Sequence, residues 1–213
     1  MREAILLIGP TGSGKTPLGE ALEARGLWDR ACRHFDFGRQ LRHVAAGAEV
    51  ARNLSPEDVR FVRSVLQEGA LLEDSDFHIA ERLLEGFLAE SEPAVAPCSD
   101  SRLPRIVLNG LPRHIGQARR IDQRLAVRTV VRLDCPAEVV LKRIASNAGG
   151  DRSGRTDDDV AAVRARIDLF ERRTAPLVEH YRNRGAAVLT VAIAWATTAE
   201  DARRELDRRS PEL

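Results

Sequence analysis

Residues 4–16 have the sequence AILLIGPTGSGKT, in which an all-apolar run is followed directly by a glycine-rich turn. The run at 4–8 is typical of a strand that is buried on both faces of a parallel sheet. Residues 9–16 match the pattern G-x-x-x-x-G-K-[ST], whose backbone N–H groups converge on phosphate oxygens. A helix predicted over 15–25 starts at this loop and directs its positive end at the same point. Strand, loop and helix in this order predict a binding site for a nucleoside triphosphate.

All residues of this loop except Pro10 are predicted to contact the triphosphate or its metal ion. Lys15 reaches the β and γ phosphates, and the Thr16 hydroxyl can hold Mg²⁺. Lys15 is one of only two lysines among 33 cationic side chains, the other being Lys142, so its retention suggests a specific role. The predicted contacts in the loop are Gly9, Thr11, Gly12, Ser13, Gly14, Lys15 and Thr16.

Short apolar segments alternate with helical patterns along the chain, which is typical of a parallel α/β sheet. The sequence predicts an α/β P-loop NTPase fold of three layers, α/β/α, around a five-stranded parallel sheet. The predicted strands cover residues 4–8, 33–36, 105–109, 127–133 and 187–191.

The stretch between the second and third predicted strands carries helical signals only. Residues 37–92 are therefore predicted to form a helical insertion. Residues 92–104 contain three prolines and are predicted to be a linker loop. The core is then expected to comprise residues 1–36 and 105–213.

Several helix starts are predicted from capping sequences. Ser55 precedes Pro56 and two acidic residues, and Ser75 is predicted to cap the next helix. Thr156 and three following aspartates predict the start of a long helix with one buried stripe. The predicted stripe comprises Val160, Val163, Ile167, Phe170, Thr174, Leu177 and Tyr181.

Composition limits the class of protein and of partner. The chain has 213 residues, 43% apolar and 31% charged, which fits one globular domain or one core with small insertions. A net charge of +1 gives no bulk attraction to nucleic acid or to a membrane. The start at Met1 does not have the pattern of a signal peptide, so a cytoplasmic location is predicted. The three cysteines form no CxxC pair and the five histidines form no close pair, so no zinc site is expected.

Five further motifs follow one another along the chain. They are GRQLR at 38–42, GALL at 69–72, NGLPRHIGQA at 109–118, GRTDD at 154–158 and TAPL at 174–177. With the loop at 9–16, they make the chain resemble the adenylate kinases and the UMP/CMP kinases over nearly its whole length. The resemblance implies a monomer that transfers a phosphoryl group from ATP, with Mg²⁺, to a nucleoside monophosphate, AMP being the favoured acceptor. It also implies a short lid, at 145–155.

The resemblance assigns the acceptor side of the site. Arg42 and Arg113 correspond to the pair that holds the α-phosphate of the monophosphate, and Gln117 to the side chain that contacts the adenine edge. Phe37 and the turn at Leu71 and Leu72 correspond to the wall of the acceptor-base pocket. Gly110 is also assigned to binding of the monophosphate.

The resemblance also assigns the arginines around the transferring phosphate. Arg143 resembles the arginine that lies over the ATP base, and Arg155 and Arg166 resemble lid-hinge arginines. The predicted catalytic residues are thus Lys15, Arg113, Arg155 and Arg166. The physical logic agrees, because two nucleotides bring several negative charges together and guanidinium groups bind phosphate oxygens bidentately.

Two positions depart from the family pattern. The family has aspartate where this chain has Asn109 and Arg39, and those carboxylates help to organise Mg²⁺ through water. An arginine cannot ligate a metal, and an amide has no charge. Asp36 and Asp134 lie near the ends of predicted strands and are candidates to replace them.

Three alternatives remain open beside the monophosphate kinase. The departures at Asn109 and Arg39 would suit a nucleotide-binding module with weak or no transfer. A P-loop kinase for another small acceptor is the second alternative. The loop also resembles that of tRNA dimethylallyltransferases, but the near-neutral charge and the motifs at 109–118 and 154–158 argue against an RNA substrate.

Overall fold

The structure, a computed structural model, describes residues 1–48, 54–70, 72–90, 103–150 and 159–210. Within these ranges, five strands form one sheet in which every pairing is parallel. They are β1 (Arg2–Ile8), β2 (Cys32–Asp36), β3 (Arg105–Asn109), β4 (Leu125–Asp134) and β5 (Ala187–Ala192). Their spatial order is β2-β3-β1-β4-β5. The predicted five-stranded parallel sheet is confirmed.

Helices flank both faces of this sheet. They are α1 (Lys15–Arg25), α2 (Phe37–Ala45), α3 (Pro56–Glu68), α4 (Phe77–Glu90), α5 (Ile115–Ile121), α6 (Ala137–Ala145), α7 (Val160–Leu169), α8 (Leu177–Arg182) and α9 (Ala199–Asp207). Successive side chains of β1 point to opposite faces, so Leu6 packs into one buried cluster and Leu7 into another. The first cluster includes residues of α4, α5 and α8, and the second includes residues of α1 and α9. The predicted three-layer fold is thus confirmed.

Strands β2 and β3 end at the same edge of the sheet as β1, where the glycine-rich loop begins. Asp36 at the end of β2 pairs in register with Asn109 at the end of β3, and β1 lies next to β3. Ligands of parallel α/β sheets bind at the carboxyl ends of the strands. The fold therefore brings Asp36 and Asn109 next to the loop that follows β1.

The stretch between β2 and β3 contains helices and, among its described residues, no strand. It contains α2, α3, a 3₁₀ turn at Asp74–Asp76, and α4. Ser55 caps α3 as predicted, because its side chain accepts a hydrogen bond from Asp58 N at 3.1 Å and the Asp58 carboxylate accepts one from Ser55 N at 2.9 Å. Most of the predicted linker at 92–104 and the lid residues 151–155 lie outside the described residues. The division into a core, an insertion at 37–92 and a lid stays a prediction.

The prediction that Ser75 caps the next helix is wrong. Helix α4 begins at Phe77, directly after the 3₁₀ turn that contains Ser75. That turn has its own cap at Glu73, whose backbone N–H bonds to the Asp76 carboxylate at 3.4 Å. Ser75 thus lies inside the 3₁₀ turn and not at the N-cap position of α4.

The single long helix predicted after residue 156 is also wrong in its described part. Asp159 caps α7 by accepting hydrogen bonds from Ala161 N and Ala162 N, while residues 156–158 lie outside the described ranges. A π-helical turn at Phe170–Thr174 then interrupts the helix, and Pro176, which has no N–H to donate, precedes α8. Val163, Phe170, Leu177 and Tyr181 of the predicted stripe are buried, whereas Val160, in the first turn of α7, is 58% exposed.

Gly19 is required by a close approach between α1 and β2. A Cβ atom at this position would overlap the ring of the buried His34. We expect Gly19→Ala to lower the free energy of unfolding by about 1–3 kcal/mol, as overpacking of a filled core does. Urea unfolding followed by circular dichroism measures this change.

Gly86 offers the matched control, because it also lies within a helix but a Cβ atom there has no atom within 4 Å. Gly86→Ala should raise the free energy of unfolding by about 0.5–1 kcal/mol, since alanine loses less backbone entropy on folding. Equal effects of the two substitutions would show that the His34 contact does not limit position 19.

No helix within the described ranges combines the length and the apolarity that a membrane span requires.

Candidate active site

The glycine-rich loop is curled tightly between β1 and α1. Gly12 and Gly14 have positive φ angles of 73° and 93°, a conformation that side chains with a Cβ disfavour. A Cβ atom on Gly9 would lie 2.7 Å from Ser13 Oγ, which is too close for any other residue. The Lys15 side chain folds back over the loop, where its Nζ donates to Gly9 O at 2.7 Å and to Pro10 O at 2.6 Å. The loop thus has the phosphate-cradling form that the sequence predicts.

Thr16, Asp36 and Asn109 form a hydrogen-bonded cluster directly beside the loop. The Thr16 hydroxyl donates to Asp36 Oδ2 at 2.6 Å. The Asn109 amide nitrogen donates both to Thr16 Oγ1 and to Asp36 Oδ2, each at 3.0 Å. Asp36 and Asn109 are 5% and 4% exposed, so these groups depend on one another for hydrogen bonds.

Asp36 remains ionised in this buried position. Burial alone would raise the pKa of its carboxyl, but the hydrogen bonds from Thr16 and from Arg39 N, together with nearby cations, hold that pKa below its ordinary value. The bond from Arg39 N, at 2.9 Å, also makes Asp36 the N-cap of α2. A negative charge therefore lies next to the Thr16 hydroxyl.

Two arginines from other elements, together with Asp36, act electrostatically on Arg113. Arg42 belongs to α2, Arg113 to the loop after β3 and Arg166 to α7. Burial of the Arg113 guanidinium lowers its pKa, the Asp36 carboxylate opposes this change, and repulsion by Arg166 and Arg42 adds to it. A cluster of like charges around a partly buried guanidinium favours an anion between them. We call Arg42, Arg113 and Arg166 the arginine cluster.

Arg113 is held in place by backbone contacts. Its Nε donates to Gly110 O at 2.9 Å, and Phe37 Cβ lies 3.8 Å from where a Gly110 Cβ would be. Thr174 Oγ1 donates to Arg113 O at 2.8 Å. Thr174 was predicted only as part of a buried stripe and of the TAPL motif. Its hydrogen bond to the backbone of Arg113 was not predicted. The structure thus brings Phe37, Gly110 and Arg113 together as predicted neighbours.

Gln117 connects two parts of the predicted acceptor side. Its Oε1 accepts from Arg113 N at 2.8 Å and its Nε2 donates to Leu72 O at 2.8 Å. The side chain is only 1% exposed, and His114 approaches the same Leu72 carbonyl at 3.4 Å. Gln117 therefore contacts two other predicted acceptor residues with both of its polar atoms. Leu71 and Arg155 lie outside the described residues.

Arg143 links the glycine-rich loop to the segment after β5. Its Nε donates to Gly12 O at 3.2 Å, and its Nη1 lies 2.9–3.0 Å from the carbonyls of Ala194, Trp195 and Thr197. The side chain is buried, and a cavity of about 120 Å³ lies between it, Ser13 and Thr197. Arg143 thus borders a concavity next to the glycine-rich loop.

Arg39 and Asp134, two residues singled out by the sequence, lie outside this cluster of contacts. The Arg39 guanidinium pairs with Glu20 on α1. Asp134 is 57% exposed at its side chain and lies 3.5 Å from Arg132 Nη2 on its own strand.

A larger cavity of about 370 Å³ lies at the opposite edge of the sheet, near Arg2 and Leu125, where β1 and β4 begin.

The oxygen groups around Thr16 fit Mg²⁺. A hydroxyl and a carboxylate are ligands and water acceptors that this ion prefers, and Mg²⁺ usually keeps several waters beside nucleotide phosphates. Within the described ranges, no group of three or more His, Cys, Asp and Glu side chains could hold a metal by itself. An ion here would therefore depend on the phosphates as well as on Thr16.

Comparison with known proteins finds relatives over most of the chain. Adenylate kinase of Stenotrophomonas maltophilia strain K279a is 32% identical over 191 residues, covering 85% of this chain and 86% of that protein. Adenylate kinase of Xanthomonas euvesicatoria pv. vesicatoria strain 85-10 is 31% identical over 187 residues, with the same two shares. Adenylate kinase of Synechococcus sp. strain WH7803 is 27% identical over 200 residues, covering 88% and 89%. No protein-family model matches the chain.

Proposed function

Because the chain belongs to the adenylate kinase family, and is therefore a phosphotransferase of the nucleoside monophosphate kinase class, we propose that it transfers the γ-phosphoryl group of ATP to AMP. The observation that carries the proposal is that one buried carboxylate is linked both to the loop and to the arginine cluster. Asp36 accepts a hydrogen bond from Thr16 of the loop and acts electrostatically on Arg113 of the cluster. This supports two neighbouring anion-binding regions that share this carboxylate.

The donor side binds the triphosphate through the loop. The backbone N–H groups of residues 9–16 and the helix start at Lys15 cradle the β and γ phosphates. When phosphate enters, the Lys15 ammonium exchanges its contacts with the Gly9 and Pro10 carbonyls for phosphate oxygens. Thr16 would hold Mg²⁺, which neutralises charge on the β and γ oxygens when bound.

The acceptor side binds the monophosphate through the arginine cluster. Arg42 and Arg113 hold the acceptor phosphate, and Arg166 together with Arg155 contacts the phosphoryl group in transit. Burial first, and then repulsion by Arg166 and Arg42, lowers the pKa of Arg113, and a phosphate that enters the cluster relieves this repulsion. Phosphoryl transfer needs positioning and charge stabilisation more than a strong nucleophile, and fork-shaped guanidinium groups supply both.

Adenine recognition is assigned to Gln117 and its neighbours. Leu72, Phe37 and Leu71 line the base, and Gln117 contacts its polar edge. Since Gln117 Nε2 is bound to Leu72 O, it must exchange that hydrogen bond for one to the base. Arg143 borders the donor nucleotide. The helical insertion at 37–92 and the lid at 145–155 close over both nucleotides and exclude water, which prevents hydrolysis of ATP.

The alternative of a module that binds nucleotides without transfer depended on Asn109 and Arg39. Asp36 argues for the kinase, because it supplies a carboxylate beside Thr16 although both family aspartates are replaced. Arg39 also pairs with Glu20 instead of entering the cluster. A kinase for another small acceptor would not need a buried Gln117 beside Arg113 and Leu72.

An acceptor panel tests the proposal. The purified protein is mixed with Mg·ATP and, in separate reactions, AMP, dAMP, CMP, UMP or GMP, and ADP formation is followed. We expect the highest kcat/KM with AMP and mass measurements that give a single chain in solution. A higher kcat/KM with another monophosphate would overturn the assignment of AMP, and ATP binding without turnover on any acceptor would favour the binding module.

A further inference from the structure

The hydrogen bonds of the Thr16 hydroxyl leave one direction open. A hydroxyl has one hydrogen to donate and two lone pairs. The hydrogen goes to Asp36 Oδ2 and one lone pair accepts from the Asn109 amide. The remaining lone pair is therefore oriented by two buried partners, and it is the group that can approach a cation.

Asp36 has acceptor capacity beyond its own contacts. Its Oδ1 accepts from Arg39 N, and its Oδ2 accepts from Thr16 and from Asn109. A carboxylate offers about four lone-pair sites, so one remains for a water of a hydrated cation. Because Asp36 is the only carboxylate that contacts Thr16 among the hydrogen bonds of the described residues, negative charge beside the hydroxyl comes from this residue.

We propose that Asp36 is the positioning residue for the nucleotide-bound Mg²⁺ in this enzyme, in place of carboxylates at 39 and 109. Asn109 has become the amide that orients Asp36 and Thr16, and Arg39 is paired with Glu20 away from them. The carboxylate of this chain thus lies on β2, at the residue in register with Asn109 of β3, and the two side chains are 3.0 Å apart. The inference rests on the proposed function, since it assumes that the loop binds a magnesium nucleotide.

The test is the metal preference of ATP binding, which needs no turnover. The dissociation constant of ATP for the full-length protein is measured by calorimetry in MgCl₂ and again in EDTA, without any acceptor. The ratio of the two constants gives the preference for Mg·ATP. In the wild type we expect Mg·ATP to bind more tightly, because the Asp36 charge attracts the cation and repels metal-free ATP.

Asp36→Asn should lower this ratio about tenfold or more, since a unit charge a few ångströms from a divalent ion is removed at a partly buried site. The substitution keeps the shape of the side chain, and asparagine is as good an N-cap for α2 as aspartate. Circular dichroism checks that the variant is folded.

The double variant Asp36→Asn/Asn109→Asp provides the rescue. In this variant the carboxylate is at position 109 instead of 36, and the Thr16 hydroxyl can still bond to both neighbours. We expect it to regain most of the wild-type ratio, which a merely structural role of Asp36 would not produce. Asp134→Asn is the matched control, because Asp134 also ends a strand but is exposed and bonds to Arg132, and the ratio should not change.

The outcomes separate the role of Asp36 from the proposed function. An unchanged ratio in Asp36→Asn, an equal fall in Asp134→Asn, or no recovery in the double variant would overturn the role of Asp36. ATP binding with the expected ratios but no phosphoryl transfer would overturn the proposed function and leave the metal assignment standing. Absence of ATP binding by the wild type would overturn both.

Discussion

Lys15→Met is expected to lower kcat for phosphoryl transfer by about 10³-fold or more, the scale on which a single transition-state charge contact acts. The Lys15 ammonium lies at the mouth of the loop, held by the Gly9 and Pro10 carbonyls. Methionine keeps the length of the side chain and removes the charge that the γ-phosphate requires. Steady-state kinetics with Mg·ATP and AMP measure the change.

The chain offers one natural control for this substitution. Lys142 is the other lysine of the sequence, it is exposed on α6, and its Nζ lies 4.4 Å from the centre of the Trp195 ring. Lys142→Met removes the same charge and should leave kcat within about twofold of the wild type, as exposed substitutions away from a site do. A similar loss in both variants would mean that net charge, rather than contact with phosphate, explains the effect.

Arg113→Met is expected to lower kcat/KM for AMP by about 10²–10³-fold. The Arg113 guanidinium is at the centre of the arginine cluster, fixed by Gly110 O and directed by the Thr174 contact with its backbone. Its loss removes both a bidentate phosphate contact and a charge at the transferring group. Kinetics at varied AMP concentration, with ATP saturating, separate kcat from KM.

Stability provides the second readout for Arg113. Since attraction by Asp36 and repulsion by Arg166 and Arg42 oppose one another at Arg113, its removal should change the free energy of unfolding little through charge. Arg119→Met, on an exposed position of α5, is the control and should leave kcat/KM unchanged. If Arg113→Met kept the wild-type kcat/KM, the arginine cluster would not be the acceptor site.

Features encoded in local sequence were predicted well. The β1 strand, the glycine-rich loop and the start of α1 depend on residues within one short stretch, so their pattern was sufficient. The parallel sheet followed from the alternation of apolar runs and helical patterns. Ser55 was predicted to cap α3 because its partner, Asp58, lies only three residues away.

Features that depend on competition between neighbours were predicted poorly. Ser75 has the right residue type for a cap, but Glu73 and Asp76 close a 3₁₀ turn around it. Val160 has the right spacing for a buried stripe but lies exposed in the first turn of α7, and a π-helical turn at Phe170–Thr174 interrupts the predicted long helix. Neither effect leaves a periodic signal in the sequence.

Contacts between distant residues could be predicted only as candidates. Asp36 and Asn109 are 73 residues apart, and only the β2–β3 register brings them to Thr16. Asp36 and Asp134 both lie near strand ends and were equal candidates from sequence, whereas the hydrogen bonds to Thr16 and Asn109 select Asp36. For Gln117 and Arg143, the motifs indicated the region but not that backbone carbonyls occupy their donors.

The central claim is that this protein moves a phosphoryl group between two adenine nucleotides. Because the reaction is reversible, ADP with Mg²⁺ as the only nucleotide tests it most directly, followed by ³¹P NMR. We predict that ATP and AMP appear in equal amounts, and that Lys15→Met, purified in the same way, forms neither. Unchanged ADP, or release of inorganic phosphate without ATP, would contradict the account.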